Sequence, residues 1–155
     1  MVVDRRTAVA VVAQQRVTGK KIVFTNGVFD ILHSGHVDYL SQARDLGDFL
    51  VLGLNSDSSV KLLNKAPDRP VNPVNDRARV LSAMACVDLV VPFDEQTPYE
   101  LIAALQPDVL VKGNDYAVEQ IAGHDIVQKR GGKVITIPLL EGYSTTSLIK
   151  RITGR

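Results

Sequence analysis

The sequence predicts an α/β domain, an open, doubly wound sheet of five parallel strands. Three observations carry this. Five short apolar runs alternate with stretches of helical spacing, and a strand–helix alternation builds parallel sheets. The runs are nearly continuous rather than alternating, as in strands covered on both faces. Polar, turn-forming clusters follow the first, second, fourth and fifth runs, which places them on the carboxyl edge of the sheet, where such folds bind ligands. With 155 residues, no internal repeat and no dividing linker, the chain reads as a single domain over residues 1–155. A leading helix occupies residues 1–19 and the core residues 20–152.

The elements follow in order. Residues 4–17 carry Val9, Val12, Ala13 and Val17 near helical spacing, and Gly19 offers a stop. Residues 21–25 are the first strand, and a helix that Gly47 can close continues over residues 40–46. Residues 49–54 form the second strand, followed by cap-forming side chains from Asn55 to Ser59. Residues 61–75 hold Pro67, Pro70 and Pro73 among Lys61, Lys65 and Arg69, a long irregular segment of the kind that usually has a function. Residues 74–86 resume helical spacing, with Arg77 and Arg79 unable both to face the core. The third strand, residues 87–91, is expected to stop at Pro92. Thr97 and Pro98 open a helix that runs to about Leu105. The fourth strand, residues 107–112, leads into Gly113-Asn-Asp-Tyr116. Residues 117–130 read as one helix closed by Gly131 and Gly132. Residues 133–137 are the fifth strand, stopped by Pro138. After the polar turn of residues 142–146, a last helix spans residues 147–152.

Composition narrows the function. A formal net charge of +1, with 45% hydrophobic and 23% charged residues, gives no global reason to expect nucleic acid or a membrane surface as partner. No apolar run approaches a membrane span, and no signal-peptide core follows Met1. The one cysteine, Cys86, has no partner for an internal disulfide and reads as a small core residue. A cytoplasmic protein is expected.

The chain is organised around residues 26–40, Asn26-Gly-Val-Phe-Asp30-Ile-Leu-His33-Ser-Gly-His36-Val-Asp-Tyr-Leu40. Here a strand hands over to a helix whose first turn offers unpaired N–H groups and a positive dipole end, a natural phosphate site. His33 and His36, three apart, share a helix face. A metal site with Asp30 and Asp38 is one reading and two idle surface histidines another. The chain has one further histidine, His124, and the glycine between the pair suits close backbone approach better than a metal clamp. No metal ligands are assigned.

His33-Ser-Gly-His36 after Gly27-Val-Phe-Asp30, with Ser144-Thr-Thr146 near the C-terminus, resembles the nucleotidyltransferase superfamily with the His-x-Gly-His signature. The resemblance runs from about Lys20 to Ile152 and implies a Rossmann-like nucleotidyltransferase fold. Within it the chain is most similar to the heptose-1-phosphate adenylyltransferases, also found as one half of bifunctional heptose kinase/adenylyltransferases. Segments 55–57, 69–72, 109–113, 115–116 and 121–123 support this. It implies transfer of AMP from ATP to D-glycero-D-manno-heptose 1-phosphate, with Mg2+ as cofactor held mainly by the triphosphate. The resemblance further implies a separate sugar kinase in the same pathway and allows a homodimer.

By that resemblance His33 and His36 contact the triphosphate and stabilise the transition state, Lys65 lies in a flexible basic segment with Lys61 nearby, and Arg77 holds the outer phosphates. Thr25, Asn26, Gly27 and Phe29 shape the phosphate channel. Gly113, Asp115 and Tyr116 belong to the base side, Asp115 accepting from the amino group. Ser144, Thr145 and Thr146 cap the last helix and touch phosphate. Glycerol-phosphate cytidylyltransferases carry an arginine–threonine pair before the Ser-Thr-Thr turn, and the arginine reads cytosine. Leu139 and Leu140 stand here instead, which favours ATP. The alternatives are a cytidylyltransferase for glycerol 3-phosphate or a related alcohol or sugar phosphate, and a nucleotide-binding module without turnover.

Overall fold

The computed structural model describes residues 1–113 and 116–154. Strands β1 (Ile22–Gly27), β2 (Phe49–Asn55), β3 (Leu89–Phe93), β4 (Val109–Gly113) and β5 (Lys133–Ile137) form one parallel sheet in the order β3-β2-β1-β4-β5. Helices α1 (Arg5–Val17), α2 (Ser34–Arg44), α3 (Asp57–Leu62), α4 (Val74–Ser82), α5 (Tyr99–Leu105), α6 (His124–Lys129) and α7 (Thr145–Thr153) connect and follow the strands. Strand order reverses between β1 and β4, so the crevice above their carboxyl ends is the switch point of the sheet.

Successive strand residues face opposite sides. Ile22, Phe24, Val51 and Leu110 join Ala8 and Val12 of α1, Leu101 and Ile102 of α5, and Val127 of α6 in one core. Val23, Leu50, Leu52 and Val111 join Tyr39 and Leu40 of α2 and Ala78 and Leu81 of α4 in the other. Every residue of β2 is buried, which explains its unbroken apolar run. Each large side chain removed from water contributes about 1.5–3 kcal/mol, so the two cores, rather than helix propensity, hold the short helices in place.

The amino ends of the strands share one device. An aspartate immediately precedes β2, β3 and β4 and accepts a backbone N–H near the start of the neighbouring strand. Asp48 accepts from Lys21 N at 2.8 Å, Asp88 from Leu50 N at 2.7 Å and Asp108 from Ile22 N at 2.8 Å. Hydrogen bonds to a charged group contribute about 1.5–3 kcal/mol, and these also fix where each strand begins.

Several boundaries differ from expectation for physical reasons. β3 runs through Pro92 to Phe93 because it is an edge strand, where a missing N–H need not break the ladder. Its outer side pairs with the chain start instead: Val90 N donates to Met1 O at 2.8 Å and Val3 N to Val90 O at 3.0 Å. The helix expected over residues 117–130 is a 3₁₀ turn (Val118–Gln120) and α6, separated at Gly123. Gly123 has φ 88°, and a Cβ there would lie 2.7 Å from Ile102. The segment from residue 61 starts inside α3, and α4 ends at Ser82 rather than residue 86. The last helix begins at Thr145, two residues early, because Ser144 caps it. None of the described helices is long and apolar enough to cross a membrane.

Candidate active site

At the carboxyl end of β1 the chain makes a constrained turn into α2. A Cβ on Gly27 would come within 2.8 Å of the Phe29 ring, so that ring packs where only glycine leaves room. Phe29 itself holds φ 46°, a left-handed conformation that costs an L-residue about 1–2 kcal/mol. Its buried ring meets His36 edge-on at 5.3 Å between centroids, a packing contact that offsets the strain. Asp30 follows and is 3% exposed. Its carboxylate accepts from Arg69 Nε at 2.6 Å and from the backbone N–H groups of Val71 and Asn72, both at 2.9 Å. Burial pushes the Asp30 pKa up, but the hydrogen bonds from Asn72 and Val71, and then Arg69, outweigh it and hold the carboxyl below its ordinary value. The basic segment is thereby fastened to the histidine turn.

His33 is the extended residue before α2 and His36 lies in the first turn. Their rings stack at 3.8 Å between centroids, 21° from parallel. Gly35 makes this possible, since a Cβ there would sit 3.0 Å from the His33 ring and 3.2 Å from Tyr143 Cβ. The Nδ1 atom of each histidine is buried with no hydrogen-bond partner among the described residues. Burial lowers both pKa values, and His33 adds to the effect on His36, bringing it down to about 4. The pair is therefore neutral near pH 7, and a polyanion brought against it would favour the protonated form.

The two histidines open onto a cavity of about 320 Å³ above β1 and β4, with Lys65, Arg69 and Lys112 on its basic side and Leu139, Leu140 and Tyr143 on its apolar side. A second cavity, of about 370 Å³, shares Asn26, Gly27, Lys65 and Lys112 with the first and extends past the end of β2. Lys112 Nζ donates to Asn26 O at 3.3 Å and lies 5.3 Å from the Tyr116 ring centroid. Lys65 is exposed as a residue, yet desolvation of its ammonium and then Arg69 lower its pKa, with Asp30 opposing. Ser144 accepts from Ser147 N at 3.0 Å and caps α7, so the positive end of that helix meets the cavity beside the histidines.

The cytidylyltransferase-like family model matches residues 24–151, from inside β1 to inside α7, and so takes in every described wall of both cavities. This chain belongs to the cytidylyltransferase-like family. It is 55% identical over 141 residues to bifunctional protein HldE of Syntrophotalea carbinolica, a match covering 91% of this chain and 29% of that protein. It is 55% identical over 154 residues to bifunctional protein HldE of Halorhodospira halophila, covering 99% of this chain and 32% of that protein. The chain thus spans less than a third of the length of these curated relatives. Among solved structures it resembles a lipopolysaccharide core biosynthesis protein from Thermoplasma volcanium, at a TM-score of 0.64 and 28% identity, covering 81% of this chain and 100% of that one.

In this cytidylyltransferase-like chain, many of the residues singled out in the sequence line the first cavity: His33 and His36, Lys65, Asn26, Gly27 and Phe29, Gly113 and Tyr116, and Ser144 with Thr145. Thr146 is exposed on α7 and is not among the lining residues. Asp115 lies outside the described residues. Three side chains are placed elsewhere. Thr25 is fully buried: its hydroxyl donates to Val111 O at 3.0 Å and pairs with the Tyr39 hydroxyl at 2.7 Å, so it joins β1 to β4 and α2 instead of meeting a nucleotide. Lys61 is exposed in the last turn of α3 and lines neither cavity. Arg77 is 2% exposed and donates to Asn72 O, Val28 O and Asn55 O, each at 2.8 Å, and to Asp57 Oδ1 at 2.7 Å. It clamps the carboxyl ends of β1 and β2 to the start of α4 and lines neither cavity.

Arg69, Lys112 and the carboxylate of Asp30 are brought to the cleft by the fold, and none of them is a nucleotide-site residue by sequence pattern. Arg69 and Asp30 are far apart in the chain, and no local spacing links them. Lys112 did carry a signal: it is the one charged residue in the apolar run of β4, next to the strand end where ligands bind.

Proposed function

We propose that the cleft transfers the AMP of ATP to D-glycero-D-manno-heptose 1-phosphate, giving ADP-heptose and pyrophosphate. The observation that carries this reading is the stacked His33–His36 pair at a helix start, with two buried Nδ1 atoms that have no hydrogen-bond partner among the described residues. Unsatisfied buried polar atoms point to a functional role, and both rings stand in the wall of the cleft. Family membership and the identity to the two HldE proteins support the reading, and the sequence resemblance supplies the reaction.

The attack is direct. A phosphate oxygen of the sugar phosphate forms a bond to the α-phosphorus of ATP. The bond from that phosphorus to the bridging oxygen breaks, and pyrophosphate leaves with the electron pair. The attacking oxygen already carries charge, so no general base is needed, and no cysteine lines either cavity. What the protein contributes is alignment and positive charge where negative charge builds up. His33 and His36 donate to the phosphate oxygens and take up protons as the triphosphate binds. The start of α7 at Ser144, with Arg69, faces the outer phosphates, and Lys65 stands at the border with the second cavity. Leu139, Leu140 and Tyr143 offer an apolar wall to the base, which suits adenine better than a site built to hydrogen-bond cytosine.

Among the described residues no group of three or more His, Cys, Asp and Glu is placed to hold a metal ion. Mg2+ takes oxygen ligands, and a bound triphosphate would supply most of them. Mg2+ in this reading belongs to the triphosphate, and no protein step depends on it. The sugar phosphate comes from a sugar kinase activity, on this or another polypeptide, in a cytoplasmic setting.

Pyrophosphate release tests the proposal, with ATP or CTP each offered heptose 1-phosphate and glycerol 3-phosphate. Release with ATP and heptose 1-phosphate is expected. Release with CTP alone would contradict the assignment of the nucleotide, and no release with any pair would favour a binding module.

A further inference from the structure

We propose that the second cavity holds the sugar phosphate, with Lys112 and Lys65 taking its phosphate at the border with the histidine cavity and Gln96 and Gln120 taking its hydroxyls. This rests on the adenylyl-transfer reading and adds to it a place for the acceptor.

Both lysines line both cavities. A phosphate bound between them therefore lies where its oxygen must be, next to a triphosphate held on the histidine side. In-line transfer needs the attacking and leaving oxygens on opposite sides of the phosphorus, so the two substrates must approach from different compartments. The shared wall supplies that arrangement, and Asn26 O together with the Tyr116 ring orients the Lys112 ammonium there.

The chemistry of the two walls also differs. The histidine cavity has leucine and tyrosine surface, fit for a flat base. The second cavity sets the amides of Asn55, Gln96 and Gln120 and the Thr97 hydroxyl beside Leu63 and Ile121. Gln96 Nε2 donates to Leu62 O at 3.3 Å, which leaves its oxygen as an acceptor. Gln120 Oε1 accepts from Ala117 N at 3.3 Å, which leaves its NH2 as a donor. Asn55 Nδ2 donates to Ser59 Oγ at 2.9 Å, so its orientation is fixed as well. Sugar hydroxyls both donate and accept, and held amides of opposite sense are the groups that recognise them. None of the described lining residues of this cavity is acidic, so a phosphate meets no repulsion. Its volume of about 370 Å³ falls within the range of small-molecule sites.

The test combines two measurements. Heptose 1-phosphate is titrated onto the protein saturated with a non-hydrolysable ATP analogue, and the side-chain amide signals of Gln96 and Gln120 are followed by NMR. Steady-state kinetics are then measured for Lys112→Met and Lys112→Arg. The amide signals should move with the sugar phosphate and not with the ATP analogue alone. Lys112→Met should raise KM for heptose 1-phosphate at least tenfold, leave KM for ATP within twofold, and be partly rescued by Lys112→Arg. Failure of the sugar phosphate to bind, binding that leaves both amides unmoved, or a KM effect confined to ATP would overturn the proposal. The two readings fail separately: amides that respond in a protein without ATP turnover would refute adenylyl transfer alone, and turnover with silent amides would refute this site alone.

Discussion

The two ends of the sheet are finished by opposite chemistry. At the amino end, Asp48, Asp88 and Asp108 accept strand N–H groups. At the carboxyl end, Arg77 and Lys112 donate to the carbonyls of Val28, Asn55 and Asn26. Each end receives the charge that its unpaired backbone groups demand. The consequence differs, because the amino-end aspartates are taken up by strand N–H groups and, for Asp88, by Arg44 at 2.9 Å, whereas the carboxyl end sets its cations around an open cleft. Lys65 and the two helix starts face that cleft beside Arg69, which Asp30 already pairs at 2.6 Å, and an anion is the ligand such a wall favours. One end is built for stability, and the other doubles as a site.

Substitutions can break or sharpen this division. His36→Ala, and His33→Ala beside it, should lower kcat by about 10²–10³, as loss of one oxyanion donor does, while the protein stays folded and His36→Ala loses only its packing on Phe29. A large loss of stability with little loss of rate would put the histidines in the structural class. Arg77→Met should act in the reverse way and destabilise by about 3–5 kcal/mol, the cost of breaking a buried, paired charge, as read by urea unfolding. A normally folded Arg77→Met that only weakens ATP binding would instead make Arg77 a phosphate ligand. Asp108→Ala should cost about 1.5–3 kcal/mol and leave kcat unchanged.

A smaller effect concerns protons. With His36 at about 4 in the free protein and raised by a bound triphosphate, ATP binding takes up a proton between those two values. Affinity should therefore strengthen as pH falls towards neutrality and below, and calorimetry in buffers of different ionisation heat measures the uptake. Stability has the opposite sense. The unfolded histidine binds a proton at about 6.5, so the folded state loses ground as pH drops from there to about 4. Smallest of all, Lys61→Ala should leave every kinetic constant within about twofold, since that side chain points into solvent.

The fold was legible because strands covered on both faces must be apolar throughout, and the five runs stood out for that reason. The histidine turn was legible because Gly27, Gly35 and the histidine spacing are local constraints. The same burial hid Thr25. When all residues of a strand are buried, no alternation shows which of them reach the edge. Arg77 did leave a trace: it falls on the helical stripe of Val74, Ala78 and Leu81, all on the core side of α4. A charge on such a stripe is a buried clamp more often than a loose ligand. Pro92 misled because an edge strand tolerates proline, and edge position is not visible before the strand order is known. The Asp30–Arg69 tie was beyond reach, being a contact made only by the folded chain.

The central claim is that this cleft aligns two substrates for one direct displacement, with no covalent intermediate on the protein. The stereochemical course at the α-phosphorus tests it most directly. ATP bearing a sulfur of known configuration on the α-phosphate is turned over with heptose 1-phosphate, and the configuration of the ADP-heptose product is determined. Inversion is the result this account predicts, and retention would contradict it.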